Sequence, residues 1–163
     1  MDVAAFEALF RDHQSEVYRW IMRIVRDPSV AEELTVETFW RVWKSADRFD
    51  PQRGFEPWAR RIATNLAITH LRHRPREIAY VTEPVAPPAA DAAVASDTSL
   101  KIQRAFRELP PKLQAATTLA LIEEQKYEDI ASALGISIGG VKSRVFRAVR
   151  ILRRKLEKAG ITP

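Results

Sequence analysis

The sequence predicts an all-α protein: two small helical domains joined by a Pro/Ala-rich linker. Three observations predict it. Apolar residues recur at three- and four-residue spacing in both halves, the period of a helical face. No segment alternates with period two for long enough to make a strand. Between the halves, residues 75–99 read PREIAYVTEPVAPPAADAAVASDTS, with too few large apolar side chains to offset the entropy of ordering them. A length of 163 residues allows one domain or two small ones.

The elements follow in order. Residues 2–26 carry Phe6, Leu9, Phe10, Val17, Trp20, Ile21, Ile24 and Val25 at helical spacing, and Asp27-Pro28 breaks the run. Ser29, with Glu32 three residues on, has capping-box spacing for a second helix to about Ala46, with Leu34, Phe39, Val42 and Trp43 as its apolar positions. Arg48 to Gly54 is rich in turn residues. A third helix is expected from Phe55 or Glu56 to Arg72, Pro57 being tolerated in its first turn. Beyond the linker, helices are expected over 100–109, 112–124 and 127–134. Gly135 suits a left-handed cap after the last of these, and Ser137 can cap a final helix to about Lys158. The expected domains are 1–74 and 100–163, with 75–99 between them.

Charge is shared unevenly. Residues 100–163 hold 13 basic and six acidic residues, whereas 1–74 hold 12 and 11, and the linker one and four. A concentrated basic surplus is the electrostatic footprint of nucleic-acid binding, although a solvated helix face has the same composition. The chain has no cysteine, which excludes disulfides, thiolate metal sites and a cysteine nucleophile. It has no apolar run of about 18 residues and no basic-then-apolar leader pattern, so the expected compartment is the cytoplasm. Five glycines without a phosphate-cradling Gly-rich loop argue against a nucleotide-using enzyme. His13, His70 and His73 lack partners at metal-ligand spacing. No catalytic residue, metal or cofactor is expected.

The most informative stretch runs from Tyr127 to Arg144. A short helix, a turn holding Gly135 and a second amphipathic helix make a helix-turn-helix. Ile130, Leu134, Ile136, Val141 and Val145 would form its shared core, with Ala131 small where the helices cross. At 100° per residue, Val141, Val145, Ala148 and Leu152 fall on one face. The opposite face carries Ser143, Phe146, Arg147, Arg150 and Arg154, with Lys142 at its edge. Basic residues neutralise phosphates, Arg forks onto guanine edges, and a bare Phe suits a thymine methyl.

All four tryptophans, Trp20, Trp40, Trp43 and Trp58, lie in the first half, where core packing is the default for each. Trp58 has a second reading. It follows the Gly54 loop and shares a helix face with Asn65, close to Arg60, Arg61 and Phe49, a set able to hold unstacked bases.

On these residues the chain resembles the extracytoplasmic-function (ECF) sigma factors of the sigma-70 family. Ala31 through Trp43, AEELTVETFWRVW, resembles the region 2 helix that docks on the β′ clamp of RNA polymerase. Arg48-Phe49-Asp50-Pro51 through Asn65 is similar to the loop and helix that melt and read the −10 element. Leu109-Pro110 and Tyr127 through Arg144 are similar to region 4, which reads the −35 element. Val36, Gly140 and Gln114 depart from the residues the family often has there. The resemblance implies polymerase contacts by Glu33, Leu34 and Glu37; −10 contacts by Phe49, Trp58, Arg61 and Asn65; and −35 contacts by Lys142, Ser143, Phe146, Arg147 and Arg150. It implies as partners bacterial core polymerase, through its β′ clamp and β subunits, promoter DNA and an anti-sigma factor. Two rivals share parts of this reading: a stand-alone helix-turn-helix regulator needs only residues 100–163, and a helical adaptor needs no DNA.

Overall fold

The computed structural model describes residues 1–74 and 90–162, and among these it contains helices and no strand. The first unit is three helices: α1 (Val3–Val25), α2 (Pro28–Lys44) and α3 (Phe55–His73), with a single 3-10 turn at Ala46–Arg48. Asp2 caps α1 through its carboxylate, which accepts from the Ala5 N–H at 2.7 Å. Arg26 ends α1 in the left-handed region, its N–H bonded to the Met22 carbonyl. The cap of α2 is Asp27 rather than Ser29. Asp27 Oδ1 accepts from the Ser29 and Val30 N–H groups, and Pro28 occupies the first helical position, where no N–H is needed.

Trp20 stands at the centre of this unit, 1% exposed. Its indole Nε1–H donates to Thr64 Oγ1 at 2.8 Å, and the Thr64 hydroxyl donates to the Arg60 carbonyl at 2.7 Å, which fixes α1 against α3. Thr35 and Thr38, also buried, donate back to the carbonyls of Ala31 and Leu34. Phe39, Val42, Ala59, Ala63 and Ala67 complete the core; the small residues let the helices approach closely.

The second unit comprises α4 (Ala90–Arg107), α5 (Pro111–Thr117), a π turn (Thr118–Ile122), α6 (Tyr127–Leu134) and α7 (Ile138–Lys158). Two expectations are corrected here. The helix expected from residue 100 begins at Ala90, inside the segment read as linker. Alanine favours helix without needing burial, so a composition poor in core residues can still be helical. Residues 75–89 lie outside the described residues. The helix expected over 112–124 divides, with the Glu123 N–H reaching back five residues to the Thr118 carbonyl. The remaining boundaries stand: α6 spans 127–134, Gly135 caps it at φ 68°, and Ser137 caps α7.

One cluster of buried side chains runs without a break from α1–α3 into Ala115, Leu119, Ile130, Ala131, Ala133, Val141 and Val145 of the second unit. A smaller one, Ala105, Leu109, Leu113, Ala148 and Leu152, ties α4 and α5 to α7.

Candidate nucleic-acid interface

The turn between α6 and α7 is built from local chemistry. The Gly135 N–H bonds to the Ser132 carbonyl and the Ile136 N–H to that of Ala131, the pattern that closes a helix on a left-handed residue. Ser137 Oγ then accepts from the Gly140 N–H at 3.0 Å and starts α7. Val141, Val145, Ala148 and Leu152 are all buried. Periodicity therefore forces Lys142, Ser143, Phe146, Arg147 and Arg150 outward, and each is exposed. Phe146, 64% exposed, lies under the Arg150 guanidinium, which is 5.9 Å from its ring centroid. Arg144 sits at the edge of this face. Partial burial, and then the charge of Arg147, lower its pKa from the ordinary arginine value. An anion laid against this face would relieve that crowding of positive charge.

The four side chains expected at the −10 element do not form one cluster. Phe49 and Trp58 meet, their ring centroids 5.2 Å apart and tilted by 31°, and both pack on Phe55. Each is half-buried, so the pair rests on the core while leaving part of its surface to solvent. Asn65, two turns along α3, lines an open groove with Glu37, Arg41, Lys44, Ser45 and Ile62. Arg61 points elsewhere. A Cβ placed on Gly135 would lie 2.6 Å from its Nη2, so its guanidinium rests on the turn of the helix-turn-helix.

On α2, Glu33 is exposed, Glu37 accepts from Arg41 Nε at 3.2 Å, and Leu34 is half-buried against the core. The residues overlooked on this helix are apolar. Val36 is 65% exposed, Trp40 52% and Trp43 36%, with the Lys44 ammonium 4.8 Å from the Trp40 ring. Core packing as the default thus fails for Trp40. The signal was present: α2 carries more large apolar residues than one buried stripe needs, and the surplus recurs at Val36, Trp40 and Trp43.

His13 also has neighbours that sequence spacing did not reveal. Its ring nitrogen, Glu16 and Glu56 bring ligand atoms within 4.8 Å of one another. Glu16, however, accepts from Arg60 Nη2 at 2.7 Å, and Arg60 lies over the Trp20 ring, so the group reads as an ion-paired support of α1 on α3.

Comparison with known proteins decides the family. The Sigma-70 region 2 family matches residues 9–77, and the Sigma-70 region 4 family matches residues 99–152. The RNA polymerase sigma factor CarQ of Myxococcus xanthus is 37% identical over 155 residues, covering 93% of this chain and 89% of the relative. The chain belongs to the ECF sigma factors of the sigma-70 family. SigW of Bacillus subtilis, an ECF RNA polymerase sigma factor, is 30% identical over 95% of this sigma factor and 90% of its own length. Two solved structures share the fold. CnrH, in complex with the cytosolic domain of CnrY, has a TM-score of 0.59 at 23% identity, covering 96% of this chain and 90% of that one. RpoE of Bartonella quintana, with the anti-sigma factor NepR, has a TM-score of 0.56 at 23% identity, covering 95% and 98%. In this sigma factor the region 2 match overlies α1–α3, and the region 4 match overlies most of α4–α7. None of its described helices is long and apolar enough to cross a membrane.

Proposed function

We propose that this sigma factor binds core RNA polymerase in the cytoplasm, carries it to promoters and opens the −10 element, without catalysing a reaction itself. Residues 1–74 act as region 2 and 100–163 as region 4. The exposed face of α2 docks on the β′ clamp through Glu33 and Glu37, with Val36 and Trp40 supplying the apolar contact beside them; Leu34 contributes at the edge. Phe49 and Trp58 offer ring surface to a base leaving the duplex, Asn65 offers an amide for its edge, and Arg61 a charge for its phosphate. Lys142, Ser143, Phe146, Arg147 and Arg150 face the −35 major groove while region 4 contacts the β subunit. An anti-sigma factor is the third proposed partner, of the kind seen with RpoE of Bartonella quintana.

The observation that carries this reading is the outer face of α7: five polar, basic or aromatic residues held outward by a fully buried stripe on the other side. The test is reconstitution of the full chain with bacterial core polymerase, followed by transcription from genomic fragments. Coelution with core and transcripts from defined start sites are expected. A chain that binds DNA yet never associates with core would be a stand-alone regulator instead.

A further inference from the structure

The start of α3 is held against α1 by a group of polar side chains that neither DNA reading nor polymerase docking uses. His13 and Glu16 are three residues apart on α1, so they share a helix face, and Glu56 stands in the first turn of α3. One ligand atom of each, a ring nitrogen and two carboxylate oxygens, lies within 4.8 Å of the others. His13 Nδ1 is 4.0 Å from Glu56 Oε1, too far for a direct hydrogen bond. The His13 ring packs on Phe55, with centroids 4.7 Å apart, and is thereby held in place. These side chains and Arg60 line a cavity of about 10 Å³, the room of a single water or small ion.

Arg60 carries an unmet demand at the same place. Its Nε is buried and has no hydrogen-bond partner among the described residues. A buried N–H without an acceptor is costly, and it points to an acceptor that the protein's own atoms do not supply. The rest of the guanidinium is engaged: Nη2 lies 2.7 Å from Glu16 Oε1, and Nη1 3.7 Å from Asp129 Oδ1. Glu16 therefore spends one oxygen on Arg60 and keeps the other. A carboxylate oriented in this way by a hydrogen-bonded neighbour is how metal ligands are commonly fixed. The local charge also suits a cation in spite of Arg60. Glu16, Glu56 and Asp129 carry three negative charges against its one positive charge, and a divalent ion balances the remainder.

We propose that His13, Glu16 and Glu56 form a site for a divalent transition-metal ion, with zinc the best fit. One imidazole and two carboxylates suit zinc, whereas magnesium and calcium take oxygen ligands. Three atoms no more than 4.8 Å apart share a point within about 2.8 Å of each, against roughly 2.0–2.2 Å for bonds to zinc, so small rotations of the two glutamates close the site. Three protein ligands leave a fourth position for a water, and Arg60 Nε donates to that water. The ion's role is structural: it ties the start of α3 to α1. Phe55 and Trp58 flank Glu56 in the same turn, so the ion steadies the end of this unit that carries the Phe49–Trp58 ring pair.

The test titrates Co²⁺, which occupies zinc sites and absorbs visible light when bound, into the tag-free full chain. A visible band that saturates at one ion per chain is expected, and one equivalent of Zn²⁺ should displace it. Zn²⁺ at about 100 times its dissociation constant should raise the melting temperature by about 5–10 °C. His13→Ala and Glu56→Gln alter side chains outside the buried core, so each should abolish the band and the shift while leaving the helical circular dichroism unchanged. His70 and His73, the other two histidines, lie in the last turn of α3; His70→Gln with His73→Gln should change neither signal. His13→Cys replaces one ligand by another. In a chain with no native cysteine it should add a thiolate-to-cobalt charge-transfer band that has no other source. The site is overturned by a wild-type chain with no saturable band, by a band that survives either His13→Ala or Glu56→Gln, or by its loss in the His70 and His73 variant. No charge-transfer band from His13→Cys would count against it equally. A full band with no rise in melting temperature would overturn the structural role.

Discussion

At the scale of single residues, the chain repeatedly uses one side chain for support and for surface at once. Trp58 packs one part of its ring on Phe55 and Phe49 and leaves the rest exposed. Trp20 spends all of its ring on the core and satisfies its one donor on Thr64, so nothing of it remains for a partner. The difference decides what substitution does. Trp58→Ala should impair open-complex formation on duplex promoter far more than on a template with the −10 bases already unpaired. Unpairing costs a few kcal/mol, and a pre-melted template removes that cost beforehand. Stacking of a base on an aromatic ring contributes about 1–3 kcal/mol, so the loss on duplex should be about fivefold or more. Permanganate footprinting of both templates measures it. An equal loss on both would make Trp58 a packing residue alone.

At the scale of elements, α2 and α7 present outward faces of different chemistry, and each can be broken without touching its core. Glu33 and Glu37 share a face, with Val36 and Trp40 exposed beside them. Reversing both charges to Lys should abolish core polymerase binding in a pull-down while leaving the helical circular dichroism unchanged. Wild-type affinity in that variant would show that α2 is not the docking helix. On α7, Arg147 lies nearer than Arg150 to the helix start, the end proposed to enter the groove. Arg147→Ala should cost about 1–3 kcal/mol at particular −35 positions, whereas Arg150→Ala should weaken every sequence alike and flatten the salt slope by about one. Titrations of single-base promoter variants at two salt concentrations distinguish the two; a uniform loss from Arg147→Ala would make it a phosphate clamp. How legible these elements were follows from the same physics. The two faces of α7 could be read from sequence because its buried and exposed residues separate cleanly at 100° per residue. The bounds of α6 could be read because Gly135 has one conformational reason to be there. The outer stripe of α2 was missed because Trp40 and Val36 are apolar on both readings, and only burial tells them apart. The contact of Arg61 with Gly135 joins residues far apart in the chain, and no local period encodes it.

At the scale of the whole molecule, the continuous core makes a statement about cooperativity that the distribution of tryptophan allows to be tested. Trp20, Trp40, Trp43 and Trp58 all lie in α1–α3, so tryptophan fluorescence reports unfolding of that unit alone. Far-ultraviolet circular dichroism reports every helix. Two units that share only a tether would unfold independently, and the two probes would trace different curves. Here Ile130 and Ala133 of α6 are fully buried in the same cluster as Ala63 and Ala67 of α3, so separating α6 from α3 exposes apolar surface on both sides. The ion pairs between the units, Arg23 and Arg26 with Glu123 and Arg60 with Asp129, add less: exposed ion pairs contribute about 0.2–1 kcal/mol each, and the pair of Arg26 with Glu123 lies in that class. The apolar part therefore supplies most of the coupling, and the charges tune it. Wild-type chain in urea should give coincident curves by the two probes. Glu123→Arg, which replaces attraction to Arg23 and Arg26 by repulsion from both, should separate them, with the α1–α3 signal and the remainder changing at distinct midpoints. Separate curves already in the wild type would mean that the shared core does not couple the units. Coincident curves in Glu123→Arg would mean that the apolar contact alone couples the units and that the ion pairs of Glu123 are not needed for it.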